Sequence, residues 1–194
     1  MASFFIRLTL GYGLLAAGWL IWGEGYAALF RAGGQMLFGS FGSHGVVRFR
    51  PLQGERVDTE ILLSNRRHPG GFMPLRNSSR FVGYVPTAFL LALLAATPMP
   101  WSRRFRTLLW GLFLVNAFVV ARLALTLVWG FSQDNPVALF AWGPFGQRAV
   151  ELLFSVFAAM TSASYVVPLL IWLPLGVGRG DRGVRVHAGK AQRA

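Results

Sequence analysis

The stretch Asn77-Ser78-Ser79-Arg80, an apolar run from Phe81 to Pro100, Trp101-Ser102-Arg103-Arg104-Phe105-Arg106 and a second apolar run from Thr107 to Phe131 decides the class of the chain. At about 1.5 Å per residue each run is long enough, as a helix, to cross a hydrocarbon layer of about 30 Å. Trp101 and three arginines between them have the composition of a membrane interface. The stretch therefore predicts a transmembrane helical hairpin joined by the turn 101–106. Its second arm holds a single charge, Arg122.

The rest of the chain agrees with a bilayer setting. Of 194 residues, 54% are hydrophobic and only 13% charged, and the mean hydropathy is positive. An apolar stretch from Phe4 to Phe30, preceded in its first turn by Arg7, reads as a first span and an uncleaved signal anchor. Gly11, Gly13, Ala17 and Gly18 give it a small-residue face suited to close helix packing. Ala149 to Leu175, opened by Glu151, reads as a further span that Pro168 and Pro174 bend or end. The predicted fold is an all-α polytopic membrane protein with four transmembrane helices, at about 4–30, 81–100, 107–131 and 149–175. These form one membrane domain over 1–176, with a small β-leaning extracytoplasmic insertion at 31–80. The basic, Gly-rich segment 177–194 reads as a disordered, lipid-facing tail.

Within the insertion, Val46-Val47-Arg48-Phe49-Arg50 and Asp58 to Leu63 predict a short hairpin, and Arg66-Arg67-His68-Pro69-Gly70-Gly71 a turn. The loop 132–147, with Trp142-Gly143-Pro144-Phe145-Gly146, suits an interfacial belt.

The net charge of +12 comes almost entirely from arginines in loops and the tail. That distribution points to anionic headgroups and topology and not to nucleic acid. Nine Lys and Arg fall on each side of a four-span arrangement, so the raw count is a tie. Short dense clusters beside helix ends weigh more, which places both termini in the cytoplasm of a cell inner (plasma) membrane. The absence of cysteine removes disulfides, thiolate metal sites and a Cys nucleophile together. His44 and His68 share a loop with Asp58 and Glu60 but lack metal-ligand spacing, and Gly178-x-Gly180-x-x-Gly183 neither follows a strand nor opens a helix. No cofactor is expected.

The candidate site residues are Arg122, Glu24, Asn77, Ser78, Ser79 and Arg80. Arg122, nine residues from the outer end of its span, would lie roughly 13 Å deep. An intramembrane arginine is expensive, at about 2.5 kcal/mol or more, and marks either a site or a structural ion pair. Glu24 is the acid at comparable depth, which predicts a Glu24–Arg122 contact. Thr126 shares the face of Arg122, whereas Asn116 points away from it. Asn77 to Arg80 opens the second span, as a helix cap or as part of an outward-facing site with Arg122.

A polar motif at the mouth of a span, an Arg-rich cytoplasmic turn and an embedded Arg about 45 residues after the motif resemble the exosortase and archaeosortase family of membrane transpeptidases. The resemblance covers 77–131. That family uses a catalytic Cys, the embedded Arg and a later His or basic residue to cleave and sort proteins with C-terminal signals. Arg122 corresponds to the embedded Arg, and Asn77 or Ser78 falls where the Cys would be. No His occurs between His68 and His187, and Asn116 lies too far from Arg122 for the family's Asn. The resemblance implies the scaffold without cysteine chemistry, binding a protein or peptide partner from the outer face. The alternative is a structural or accessory subunit of a larger membrane complex. An active serine-type enzyme would need a base that the sequence does not supply.

Overall fold

The computed structural model describes residues 2–54, 57–68 and 70–177. The predicted tail lies almost wholly outside the described residues. The fold is mostly helical, with one small antiparallel sheet.

Helix α1 spans Ala2–Phe38, about 55 Å and well beyond a hydrocarbon layer. It does not stop at Phe30 as the hydropathy suggested, because its last turns have a sheet to pack on. Gly34 faces the ring of Phe49 closely enough that a Cβ would strike it. Gln35 lies against the strand Gly45–Pro51, donating to the Val47 carbonyl (3.2 Å) and accepting from the Phe49 N–H (3.0 Å).

The sheet is a meander in the order β1-β2-β3-β4, formed by Ser40–Phe41, Gly45–Pro51, Thr59–Asn65 and Phe72–Asn77. The predicted hairpin is its β2–β3 pair, in the register Val47↔Leu63 and Phe49↔Ile61. Strand β4, which holds Pro74 on the sheet's edge, had no clear alternation to announce it. Thr59, Ile61, Leu63 and Asn65 on β3 are buried and their neighbours are not, the period of two expected of a half-covered sheet.

A π-helical turn, Arg80–Tyr84, leads into α2, Val85–Ala96. The chain then reverses at Thr97-Pro98-Met99-Pro100, not at 101–106. Each proline disfavours helix at the residue before it, and Thr97 is extended (φ −77°, ψ 124°). Trp101 and the three arginines therefore belong to the first turns of α3, Trp101–Phe131. Thr97 ties this end of the bundle together: its carbonyl accepts from Arg104 Nη2 (3.2 Å) and its hydroxyl from Trp172 Nε1 (2.9 Å).

The expected fourth span is two helical pieces. Pro144–Ala159 begins as α4 (Pro144–Leu153) and ends in a π-helical turn; Ala163–Gly176 begins as α5 (Ala163–Trp172). They meet at 82° across a short break. Pro168 lies inside α5 without ending it; the break between the two pieces is at Met160, which is extended (φ −76°, ψ 126°).

By length and apolarity two helices, Ala2–Phe38 and Trp101–Phe131, can cross a membrane, and a third can if the bent pair counts as one; Arg80–Ala96 is shorter. Leu10, Leu14, Leu20, Ile21 and Trp22 on α1 are exposed, the pattern of a helix whose solvent is lipid. The core has two parts. Leu90, Leu94 and Val115 pack between α2 and α3, while Val47, Ile61 and Leu63 of the sheet pack on Phe30 of α1 and on Val119, Leu123, Leu127 and Phe131 of α3. The far end of α3, which looked membrane-embedded, is thus buried under the sheet.

Candidate functional site

The site is built where the sheet hands the chain to α2. Asn77 ends β4 opposite Thr59, and its side-chain oxygen accepts from the Ser78 N–H (2.9 Å). A helix start leaves N–H groups without partners, and here Asp58 supplies an acceptor from the neighbouring strand. Its Oδ1 accepts from the Ser79 N–H (3.0 Å) and the Thr59 hydroxyl (2.8 Å), and its Oδ2 from the Ser79 hydroxyl (2.8 Å). A carboxylate at a helix N-terminus is also favoured by the helix dipole. Ser79 is fully buried, so this pair stitches sheet to helix and presents no reactive hydroxyl.

Beside the stitch, a cleft of about 310 Å³ opens between α1 and the 78–81 turn; Trp19, Glu24, Asp58, Ser78, Arg80 and Phe81 line it. The Arg80 guanidinium sits 5.8 Å from the Trp19 ring centroid and 5.7 Å from that of Phe81, within the range of cation–π attraction. The cleft therefore carries the carboxylates of Glu24 and Asp58, a guanidinium steadied by two rings, and exposed Leu20 and Ile21 at its rim.

Arg122 lies behind the same turn and is 4% exposed. Its Nη1 donates to the Phe81 carbonyl (3.1 Å) and the Ser164 hydroxyl (2.8 Å), and its Nη2 to the carbonyls of Ala158 (3.0 Å) and Met160 (3.4 Å). Ser164 in turn donates to the Phe81 carbonyl (2.6 Å). The backbone explains these partners. The Val85 N–H bonds to the Arg80 carbonyl five residues back, so the same spacing would pair Phe81 with Pro86, which has no N–H. The Phe81 carbonyl is left over and Arg122 takes it. Ala158 and Met160 are likewise at a helix end, where carbonyls lack partners and a cation is favoured.

The structure thus brings Glu24, Ser78 and Arg80 together in one cleft, commits Asn77 and Ser79 to the sheet–helix junction, and places Arg122 apart. The expected Glu24–Arg122 contact is not formed: the Phe81 ring lines the cleft that holds Glu24, while its carbonyl faces Arg122 on the other side. Arg122 is buried beside the start of α2. Thr126 bonds back to the Arg122 carbonyl (2.9 Å), and Asn116 bonds to Leu112 (2.8 Å) and takes no part.

No known protein family, curated protein or solved structure matches this chain.

Two participants were missed in the sequence. Asp58 stands 21 residues before Ser79, a separation that no local motif reports. Ser164 belongs to Thr161-Ser162-Ala163-Ser164, a hydroxyl cluster in an apolar run four residues ahead of Pro168, which could have signalled a break. Among the described residues no three His, Asp or Glu side chains converge as a metal-ligand set. Among the described residues the Ser78 hydroxyl accepts a long contact from the Phe81 N–H (3.5 Å) and has no hydrogen bond to a histidine or carboxylate. The arrangement is suited to holding a ligand with polar and apolar groups.

Proposed function

We propose that this chain is an exosortase-like integral membrane protein without cysteine chemistry that binds a protein or peptide segment from the outer face, in the cleft between α1 and the 78–81 turn. The observation that carries this reading is the convergence of Glu24, Ser78 and Arg80 on one opening with an apolar rim. Such a cleft offers a bound segment both charge partners and apolar contact. In this reading the protein is a four-pass protein of the cell inner membrane with cytoplasmic termini. The helix directions support it: α1 and α3 run one way and α2 and α5 the other, with Trp172 and Arg104 meeting at Thr97 and Ser164 and Arg122 meeting at Phe81. The 82° bend then lays amphipathic α4 along the outer interface.

The test is purification in mild detergent from native membranes, with co-eluting chains identified. Glu24→Gln with Arg80→Ala should abolish co-elution of a stoichiometric partner while the variant still elutes as a folded species. Unchanged co-elution would remove the cleft as the binding site. It would instead favour the second reading, an accessory subunit held by other surfaces. One observation supports that alternative: Arg122, the residue most like a site in the sequence, directs its Nη donors to internal carbonyls and the Ser164 hydroxyl.

A further inference from the structure

A second surface, on the side of the sheet turned away from the helices, carries its own chemistry. Strand alternation sends Arg48 and Arg50 of β2, Glu60, Leu62 and Ser64 of β3, and Phe72, Pro74 and Arg76 of β4 to this face. The register aligns them in rows: Arg50↔Glu60↔Arg76, then Arg48↔Leu62↔Pro74. Glu60 is the only carboxylate among the described residues of these rows and is flanked by two arginines, so the face is strongly positive. A groove of about 410 Å³ crosses it, with Leu62 and Ser64 as floor, Arg48 and Arg50 as one wall and the Gly70–Phe72 turn as the other. Phe72 is 70% exposed.

We propose that this groove docks an extended, acidic polypeptide segment. Arg48 and Arg50 project on the same side of a strand, about 7 Å apart, which is the repeat of alternate side chains in an extended peptide. Carboxylates at i and i+2 of such a segment meet both guanidinium groups. Its remaining side chains lie toward Leu62 and the exposed Phe72 ring, which anionic headgroups or inorganic anions would leave unused. Position also disfavours a lipid surface. The strand ends at Thr59 and Asn77 adjoin the mouth of α2, and Ser64, five residues along β3, stands about 16 Å beyond it.

This inference is separate from the cleft at Glu24 and Arg80, and so is its test. The purified full chain in detergent is titrated with a fluorescent peptide of alternating Glu and Leu, read by anisotropy, with a Lys-Leu peptide as counterpart. Arg48→Glu with Arg50→Glu should weaken Glu-Leu binding about tenfold or more, in line with the loss of close charge pairs. Arg7→Glu with Arg106→Glu, the same charge change placed on exposed positions near the starts of α1 and α3, should leave it within about twofold, because exposed charges more than about 10 Å away are screened at 0.1 M salt. Leu62→Ala with Phe72→Ala should weaken it without any change of charge, and Glu24→Gln with Arg80→Ala should leave it unchanged. Equal loss from the helix-start and sheet reversals would mean bulk charge alone and overturn the proposal. Displacement of the peptide by phosphatidylglycerol mixed into the micelles would assign the face to lipid headgroups and overturn it equally.

Discussion

The guanidinium of Arg122 donates a 3.1 Å hydrogen bond to the carbonyl of Phe81, the group that Pro86 leaves without a helical partner. Through this bond and those to Ala158 and Met160, one side chain on α3 holds the irregular start of α2 and the break before α5. An arginine can do this without a carboxylate because it has five N–H donors in a fixed fork.

Arg122→Ala should therefore act on folding. It leaves the Ala158 and Met160 carbonyls without this donor and the Phe81 carbonyl to Ser164 alone, at about 1–3 kcal/mol for each acceptor left unpaired, so a loss of about 2 kcal/mol is expected in detergent unfolding followed by circular dichroism. Arg122→Lys keeps the charge but not the fork and should recover only part of that loss. A variant as stable as the parent would show that these carbonyls find other partners.

Pro86→Ala restores the missing N–H and so should loosen the dependence of the turn on Ser164 and Arg122. In a double-mutant cycle, Ser164→Ala should cost less in the Pro86→Ala background than in the parent, with a coupling of about 0.5 kcal/mol or more. Strict additivity would mean that Pro86 is not the reason the Phe81 carbonyl is available.

The Asp58–Ser79 stitch predicts a third pattern. Asp58→Asn keeps the shape but replaces one acceptor oxygen with a donor that faces the donors of Ser79, whereas Ser79→Ala removes one neutral partner. Asp58→Asn should be the more damaging, by about 1 kcal/mol or more, since bonds to charged groups are the stronger class. The reverse order in thermal unfolding would contradict the assignment of Asp58 as the organising acceptor.

How far these relationships can be read from residues alone depends on where their causes lie. The hairpin from Asn77 to Phe131 is legible because its cause, continuous hydropathy, is local. The reversal at Pro98 and Pro100 is local too, and only the pull of Arg103, Arg104 and Arg106 toward a loop reading hid it. The environment of Arg122 is not local: its partners are main-chain carbonyls freed by irregularities in two other segments, and no side-chain pattern announces a carbonyl. The sheet's cover over the end of α3 was missed for a related reason. Leu123, Leu127 and Phe131, packed under the sheet, are as apolar as residues packed against lipid.

Topology has a direct reading, because the chain contains no cysteine and single replacements give a clean signal. Ser78→Cys, in the cleft, should label with a membrane-impermeant maleimide in intact cells. Ser102→Cys, in the first turn of α3, should label only after permeabilisation. The opposite pattern would invert the proposed orientation.

The central claim, that the cleft beside Arg80 receives a partner segment, is met most directly by photo-crosslinking in native membranes. A photo-reactive residue at Ile21, exposed at the cleft's rim, should give a discrete protein adduct that disappears with Arg80→Ala, while the same probe at lipid-facing Leu14 gives none. Equal adducts at both positions, or an Ile21 adduct indifferent to Arg80→Ala, would contradict it.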